Sequence, residues 1–348
     1  MKLQSTPSLS FASLPLQIPP SSQIIRCYDI HNLTLKLVSN QRQLLRLFDE
    51  FFGYFSIPMC SGESSLTLEL YAIPSEWASS FQAIPAVWSL YDKTPHISCF
   101  YLNQTLLYQY KNQGMFFADI EQGYGLGYII LPYSEQDALD MYRNIWLLAL
   151  FHMMRAQSIF PLHGSAAMIG EKGVLITGKS GQGKTTLLLH LLKEGFRYLA
   201  DDTVLLRQAG ETLTLLSFPT AIRITAETVK FFPELSSVVK ATRPDKREKY
   251  CLDVKQFSPI PPGHSAMPAL VVLPEITPGQ ETTLLPLSRM AAAVQCIPQN
   301  IPVNKLGVTR NNFEILTRLF QHAQCYQLRL GHNMNSIGRQ IAQVIRAV

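Results

Sequence analysis

The octapeptide GKSGQGKT, Gly178 to Thr185, sets glycines, a lysine and a hydroxyl at the spacing GxxxxGK[ST]. The chemistry such a loop serves is phosphate binding. Glycines let the backbone curl so that successive N–H groups point at phosphate oxygens, and the helix that follows adds the positive end of its dipole. On that reading Gly178, Lys179, Ser180, Gly181, Gln182, Gly183, Lys184, Thr185 and Thr186 line a nucleotide. Lys184 reaches the β- and γ-phosphates, and the Thr185 hydroxyl joins the coordination of Mg²⁺. Upstream, GVLIT reads as a short strand. Downstream, TTLLLHLLKEG reads as a helix stopped at Gly195, so strand, loop and helix come in the order phosphate binding requires.

Two aspartates, Asp201 and Asp202, follow after that single helix. A helix of about ten residues carries the chain roughly 15 Å away, at 1.5 Å per residue. The extended run FRYLA brings it back at ~3.3 Å per residue. The pair therefore arrives at the end of the sheet where open α/β folds bind ligands. Adjacent carboxylates on an extended strand point to opposite faces, so they are expected to divide the work. A carboxylate beside a transferring phosphoryl group either orients Mg²⁺ or accepts the proton of the attacking hydroxyl. The plainer alternative is that the pair only opens a turn, although TVLL continues as another strand.

His163, in PLHGSAAMIG, precedes Lys184 by 21 positions (184 − 163). It is expected to start a strand that pairs with GVLIT as a hairpin through the turn GEKG. By itself a lone histidine is as readily structural as catalytic.

These groups need a scaffold. A chain of 348 residues is long for one core, so two domains are expected. Hydrophobic residues at 47% and charged residues at 16% suit a packed globular protein. The net charge of +5 is spread without a Lys/Arg run, which tolerates an anionic ligand but does not point to nucleic acid. Residues 1–22, rich in Ser and Pro, read as a loose leader. Residues 23–135 alternate short strands (LTLKLV, SLTLELYAI, SCFYL, GYGLGYIIL) with one helix, QRQLLRLFDEFFGYF, as in an α+β domain without evident chemistry. Residues 136–159 predict a connecting helix whose Met and aromatic stripe packs into a core. Residues 160–348 alternate strand and helix, which predicts a sheet with helices packed on it.

Six cysteines, Cys27, Cys60, Cys99, Cys251, Cys296 and Cys325, are scattered without a CxxC pair. They predict reduced, mostly buried thiols rather than disulfides or a metal site. Prolines interrupt any signal-peptide core near the start, and NIWLLALFHMM is about half the ~20 residues that cross a bilayer. A soluble cytoplasmic protein with no membrane and no nucleic-acid partner is expected.

Taken together, LHG at Leu162–Gly164, GKSGQGKT and EGFRYLADD at Glu194–Asp202 resemble the catalytic domain of HPr kinase/phosphorylase and the related HPr-kinase-like peptide serine kinases. The resemblance covers about residues 160 to 345, closely only up to Leu206, and the amino-terminal half does not obviously match the family's own. It implies an α/β P-loop kinase domain of the HPr kinase/phosphoenolpyruvate carboxykinase type, preceded here by an α+β domain. The implied activity is transfer of phosphate from ATP, with Mg²⁺, to a serine hydroxyl. His163 matches the family's active-site histidine, Lys184 its loop lysine, and Thr185 its Mg²⁺ hydroxyl. Asp201 and Asp202 match the pair containing the catalytic base, and spacing favours Asp202.

One family signature departs. FPTAIRITAET keeps Arg223 but sets Ala221 where a metal-binding glutamate would stand. Glu227 is then a substitute metal ligand or a solvated helix residue. The basic run RPDKREK, Arg243 to Lys249, offers Arg243 or Arg247 to stabilise transition-state charge, or is a plain solvated loop. The altered signature leaves HPr itself, and a reverse phosphorylase reaction, open. A peptide or protein acceptor recruited by the amino-terminal domain is the expectation, with a homo-oligomer implied by the family. A kinase of a free small molecule and a nucleotide-binding regulator stand as alternatives.

Overall fold

The computed structural model describes residues 22–60, 62–78, 89–241, 249–300, 308–331, 334 and 336–347. Arg243, Arg247 and the leader up to residue 21 lie outside the described residues.

Alternating side chains build the amino-terminal sheet. In β2 (Leu33–Ser39), Leu33, Leu35 and Leu37 are buried while Thr34 and Lys36 are half-exposed, the period of two that one covered face requires. β4 (Leu66–Ile73) repeats it with Leu66, Leu68 and Leu70. The remaining strands are β1 (Ile24–Ile30), β3 (Ser56–Ile57), β5 (Ser89–Lys93), β6 (Ile97–Leu102), β7 (Thr105–Tyr110), β8 (Gly114–Asp119) and β9 (Tyr124–Ile130). They pair in the order β3-β1-β2-β4-β9-β8-β7-β6-β5. β2, β4 and β9 run parallel at the centre, and the other pairs are antiparallel. Helix α1 (Arg42–Phe52) buries Leu44, Leu45, Phe48 and Phe52 against β1 and β2.

A second helical stretch joins the halves. Helix α2 (Ser75–Ala78) is a single turn, and α3 (Glu135–Met141) starts at a reciprocal Ser134–Asp137 capping box. It runs through a π-turn into α4 (Leu147–Ala156). Phe48 packs on Tyr142 and stacks on Trp146, so the stripe expected of the connecting helix closes the core over α1.

The carboxyl-terminal half is mixed α/β. Its strands are β10 (Ile159–His163), β11 (Ser165–Ile169), β12 (Lys172–Ile176), β13 (Arg197–Ala200), β14 (Thr203–Ala209), β15 (Thr212–Leu216), β16 (Ile222–Ile224), β17 (Tyr250–Leu252), β18 (Ser265–Ile276), β19 (Thr283–Pro286) and β20 (Gln324–Leu330). Its helices are α5 (Lys184–Lys193), α6 (Ala226–Val229), α7 (Ser236–Ala241), α8 (Val254–Phe257), α9 (Arg289–Asn300), α10 (Val308–His322) and α11 (Ile337–Ala347). The order β10-β14-β15-β18-β12-β11-β13 makes the main sheet, with β20 parallel to β18. One face packs α5 and α11. The other shares a continuous core with the amino-terminal half, in which Phe51, Phe52 and Phe55 surround Phe218.

Two expectations are corrected. Cys27 and Cys60 form a disulfide, because β1 and β3 pair with Cys27 opposite Ile57 and bring the two thiols together. Cys99, Cys296 and Cys325 are free and buried, and Cys251 is free and exposed. The hairpin with GVLIT is made by β11, whereas His163 ends β10, which pairs with β14. Gly164 separates the two strands. A Cβ there would meet the Ile176 carbonyl oxygen at 2.6 Å, so glycine lets the chain change partners.

No helix among the described residues is long and apolar enough to cross a membrane.

Candidate active site

The glycine loop joins β12 to α5. Gly178, Gly181 and Gly183 have φ of +142°, +81° and +89°, a region that L side chains disfavour. Gly183 is also the cap of α5, and a Cβ on it would meet Leu330 Cδ1 at 2.5 Å. Gln182 accepts a hydrogen bond from the Ile276 amide at 3.0 Å, fixing the loop to the end of β18. Lys184 is buried, and its ammonium donates to the carbonyls of Gly178 (2.8 Å) and Lys179 (3.0 Å). Burial lowers its pKa. The carboxylates of Asp202 and Asp201 oppose that shift, and Lys249 adds to it.

The aspartates separate as expected, for a different reason. They lie in the bend between β13 and β14 rather than on a strand, and Asp202 has φ of +68°. That left-handed residue turns the second carboxylate away from the first. Asp201 is only 4% exposed and accepts hydrogen bonds from Ser165 Oγ at 2.6 Å and from Thr185 Oγ1, 3.3 Å from each carboxylate oxygen. Its carboxylate also accepts from the Arg223 backbone amide. Burial raises the Asp201 pKa and the charge of Asp202 adds to the rise, while the Ser165, Arg223 and Thr185 bonds pull it down.

Asp202 is exposed and sits beside His163, with Nδ1 3.6 Å from Oδ1. His163 Nδ1 is also 3.1 Å from the Asp202 carbonyl oxygen. A carbonyl only accepts, so that bond puts the proton on Nδ1 and leaves Nε2 as the acceptor nitrogen. Burial lowers the His163 pKa and Lys184 lowers it further, against Asp202 and Asp201. The imidazole is therefore neutral near pH 7. His163 and Asp202 line a cleft of about 390 Å³ together with residues of α4 and α9.

Glu227 is not brought to this pair. It is exposed and bonded to Lys230 at 2.7 Å, and no cluster of three His, Cys, Asp or Glu residues forms among the described residues. Ala221 is exposed at the rim of a neighbouring cleft. Sequence reasoning missed Ser165, although it directly follows LHG. It also missed Asn300, whose buried side chain accepts from the His163 amide at 2.6 Å and approaches Thr177 Oγ1 at 3.5 Å. Nothing local marks Asn300, which is 137 positions from His163.

The donors present fit a phosphate chain and a hard cation. The loop glycine Gly181 faces space that no atom fills, a Cβ on Gly178 would only touch Pro274 at 3.9 Å, and α5 begins at Lys184. The Thr185 hydroxyl and Asp201 carboxylate are paired oxygen donors. One or two such ligands, completed by substrate phosphates and water, are what Mg²⁺ takes.

Residues 156–226 match the family described as HPr Serine kinase C-terminal domain. The chain is 42% identical over 73 residues to the HPr kinase/phosphorylase of Exiguobacterium sp., covering 21% of this chain and 24% of that one. It is 47% identical over 53 residues to the HPr kinase/phosphorylase of Chlorobium limicola, covering 15% and 16%. To that of Chloroherpeton thalassium it is 30% identical over 107 residues, covering 28% and 29%. The chain thus matches about a quarter or less of the first two relatives' own lengths. The solved Hpr(Ser) kinase/phosphatase of Coxiella burnetii aligns with 54% of this chain and 94% of its own, at 16% identity and a TM-score of 0.29. The HPr-kinase-like character expected from the sequence is shown over residues 156–226.

Proposed function

We propose that this chain is a P-loop kinase that transfers the γ-phosphoryl group of ATP to a serine-type hydroxyl of a peptide or protein. The observation that carries the reading is the split aspartate pair: Asp201 buried against the Thr185 hydroxyl, and Asp202 exposed beside His163.

The loop amides and Lys184 hold the β- and γ-phosphates, and Lys249 adds positive charge nearby. Thr185 and Asp201 hold Mg²⁺, which supplies positive charge against the phosphate oxygens when bound. Ser165 and the Arg223 amide orient the Asp201 carboxylate and oppose the rise in its pKa that burial causes. Asp202 takes the proton of the acceptor hydroxyl onto its carboxylate. His163, neutral and fixed through Nδ1, packs beside that base and orients it. Asn300 and Thr177 bond the His163 main chain and hold the imidazole's strand end still. Catalysis on this scheme is positioning and electrostatic stabilisation.

A cleft of about 390 Å³ accommodates one or two residues rather than a folded protein, so the acceptor segment enters locally extended. HPr, named in the relatives, is one acceptor to offer among several. The test is a phosphorylation assay with ATP and Mg²⁺ read by mass spectrometry, offering serine peptides, HPr and free serine. A gain of one phosphate on a peptide or protein is expected. Modification of free serine alone would favour the small-molecule kinase. ATP hydrolysis with no acceptor modified would favour the regulator.

A further inference from the structure

The cleft that holds His163 and Asp202 is also lined by α4, where Leu148 and Phe151 give apolar surface and Arg155 a charged group. Arg155 is half-buried. One guanidinium nitrogen, Nη2, reaches the Pro161 carbonyl at 3.4 Å, while Nη1 is buried with no hydrogen-bond partner. No carboxylate among the described residues lies within ion-pair distance of it. Burial alone pushes its pKa down to about 10, so it stays charged at neutral pH. A half-buried guanidinium with no carboxylate partner keeps its charge for an anionic ligand that enters the cleft.

We propose that Arg155 forms a carboxylate-binding subsite of the acceptor cleft and selects acceptors carrying a carboxylate close to the reacting hydroxyl. This rests on the kinase reading above, since Asp202 marks where the hydroxyl sits. The planar guanidinium fork suits a carboxylate better than a neutral amide. An extended chain advances about 3.5 Å per residue, so in a cleft of this size the two groups belong to the same residue or to close neighbours. The carboxylate is either an acidic side chain beside the serine or a chain terminus.

The test uses the full chain and blocked serine peptides with Glu or Gln at each flanking position. A further pair ends at the serine as a free acid or as an amide. The parent is expected to favour one carboxylate-bearing peptide by about tenfold to a hundredfold in kcat/KM, the range of a charge-assisted hydrogen bond. Which pair shows the preference identifies the source of the carboxylate. In Arg155→Met the preference should fall to within about twofold, with KM for the acidic peptide carrying most of the loss. Equal use of acid and amide by the parent, or a preference that survives in Arg155→Met, would overturn the subsite while leaving the kinase intact. Binding is read separately by following the Arg155 Nε–H resonance as each peptide is added without ATP. A shift with the acid only, without turnover, would support the subsite and count against the kinase. No shift with any peptide would overturn the subsite.

Discussion

The two halves of the molecule bury polar groups in opposite ways. Among the described residues up to 135, the buried polar side chains are His31 and Ser39. The shorter stretch from His163 to Thr203 buries Ser165, Thr177, Lys184, Asp201 and Thr203. Burial of such groups costs stability unless each is paired. The amino-terminal sheet follows the rules of packing and almost nothing else. The later segment departs from them in the strands and loop that meet at the glycine loop, which is where functional groups are expected to collect.

Asp202→Asn should sharpen the contrast most. Asparagine tolerates the left-handed backbone, so the fold is kept. Phosphoryl transfer should fall about 10²- to 10⁴-fold, the usual contribution of a general base. Rapid-quench turnover beside a thermal melt checks both halves of this statement, and a large loss of stability would break the contrast.

Phe116→Ala is the mirror experiment. Phe116 is fully buried beneath Gly125 and Gly127, and its loss should cost about 3–5 kcal/mol in urea unfolding. Nucleotide affinity of the folded fraction, measured by calorimetry at low temperature, should be unchanged. A weakened affinity would mean that the amino-terminal sheet shapes the site.

Asp201→Asn tests the cost of the buried carboxylate. The folded pKa lies above the ordinary 3.8, so between the two values the folded state binds a proton that the unfolded state does not. The parent therefore loses stability as pH rises through that window, and the penalty stays above it. The asparagine variant lacks that slope, so its melting temperature should gain on the parent's as pH rises from about 4. Parallel curves for the two proteins would contradict the account.

The smallest effect is on His163. Asp202 raises its pKa against burial and Lys184, so Asp202→Asn should lower it further. A histidine NMR titration reads the shift, and no change would deny that the two side chains interact.

Much of the site was legible because it is local. The glycine loop, α5 and the aspartate pair lie within one strand–helix–strand unit, where spacing and helix length fix the geometry. What the sequence hid depends on distant pairing. The Cys27–Cys60 bond follows from the β1–β3 register, and Asn300 reaches His163 only after the sheet forms. Arg155 sits in a helical stripe that reads as core. The β10–β11 break at Gly164 rests on a close approach to the Ile176 carbonyl that only glycine permits and that no local pattern signals.

The most direct test of the divided aspartates is nucleotide affinity with and without Mg²⁺, measured by calorimetry on the parent, Asp201→Asn and Asp202→Asn. The account predicts that Asp201→Asn loses the Mg²⁺-dependent gain in affinity. Asp202→Asn should keep that gain while failing to transfer phosphate. Loss of the Mg²⁺ effect in Asp202→Asn, with Asp201→Asn binding like the parent, would contradict it.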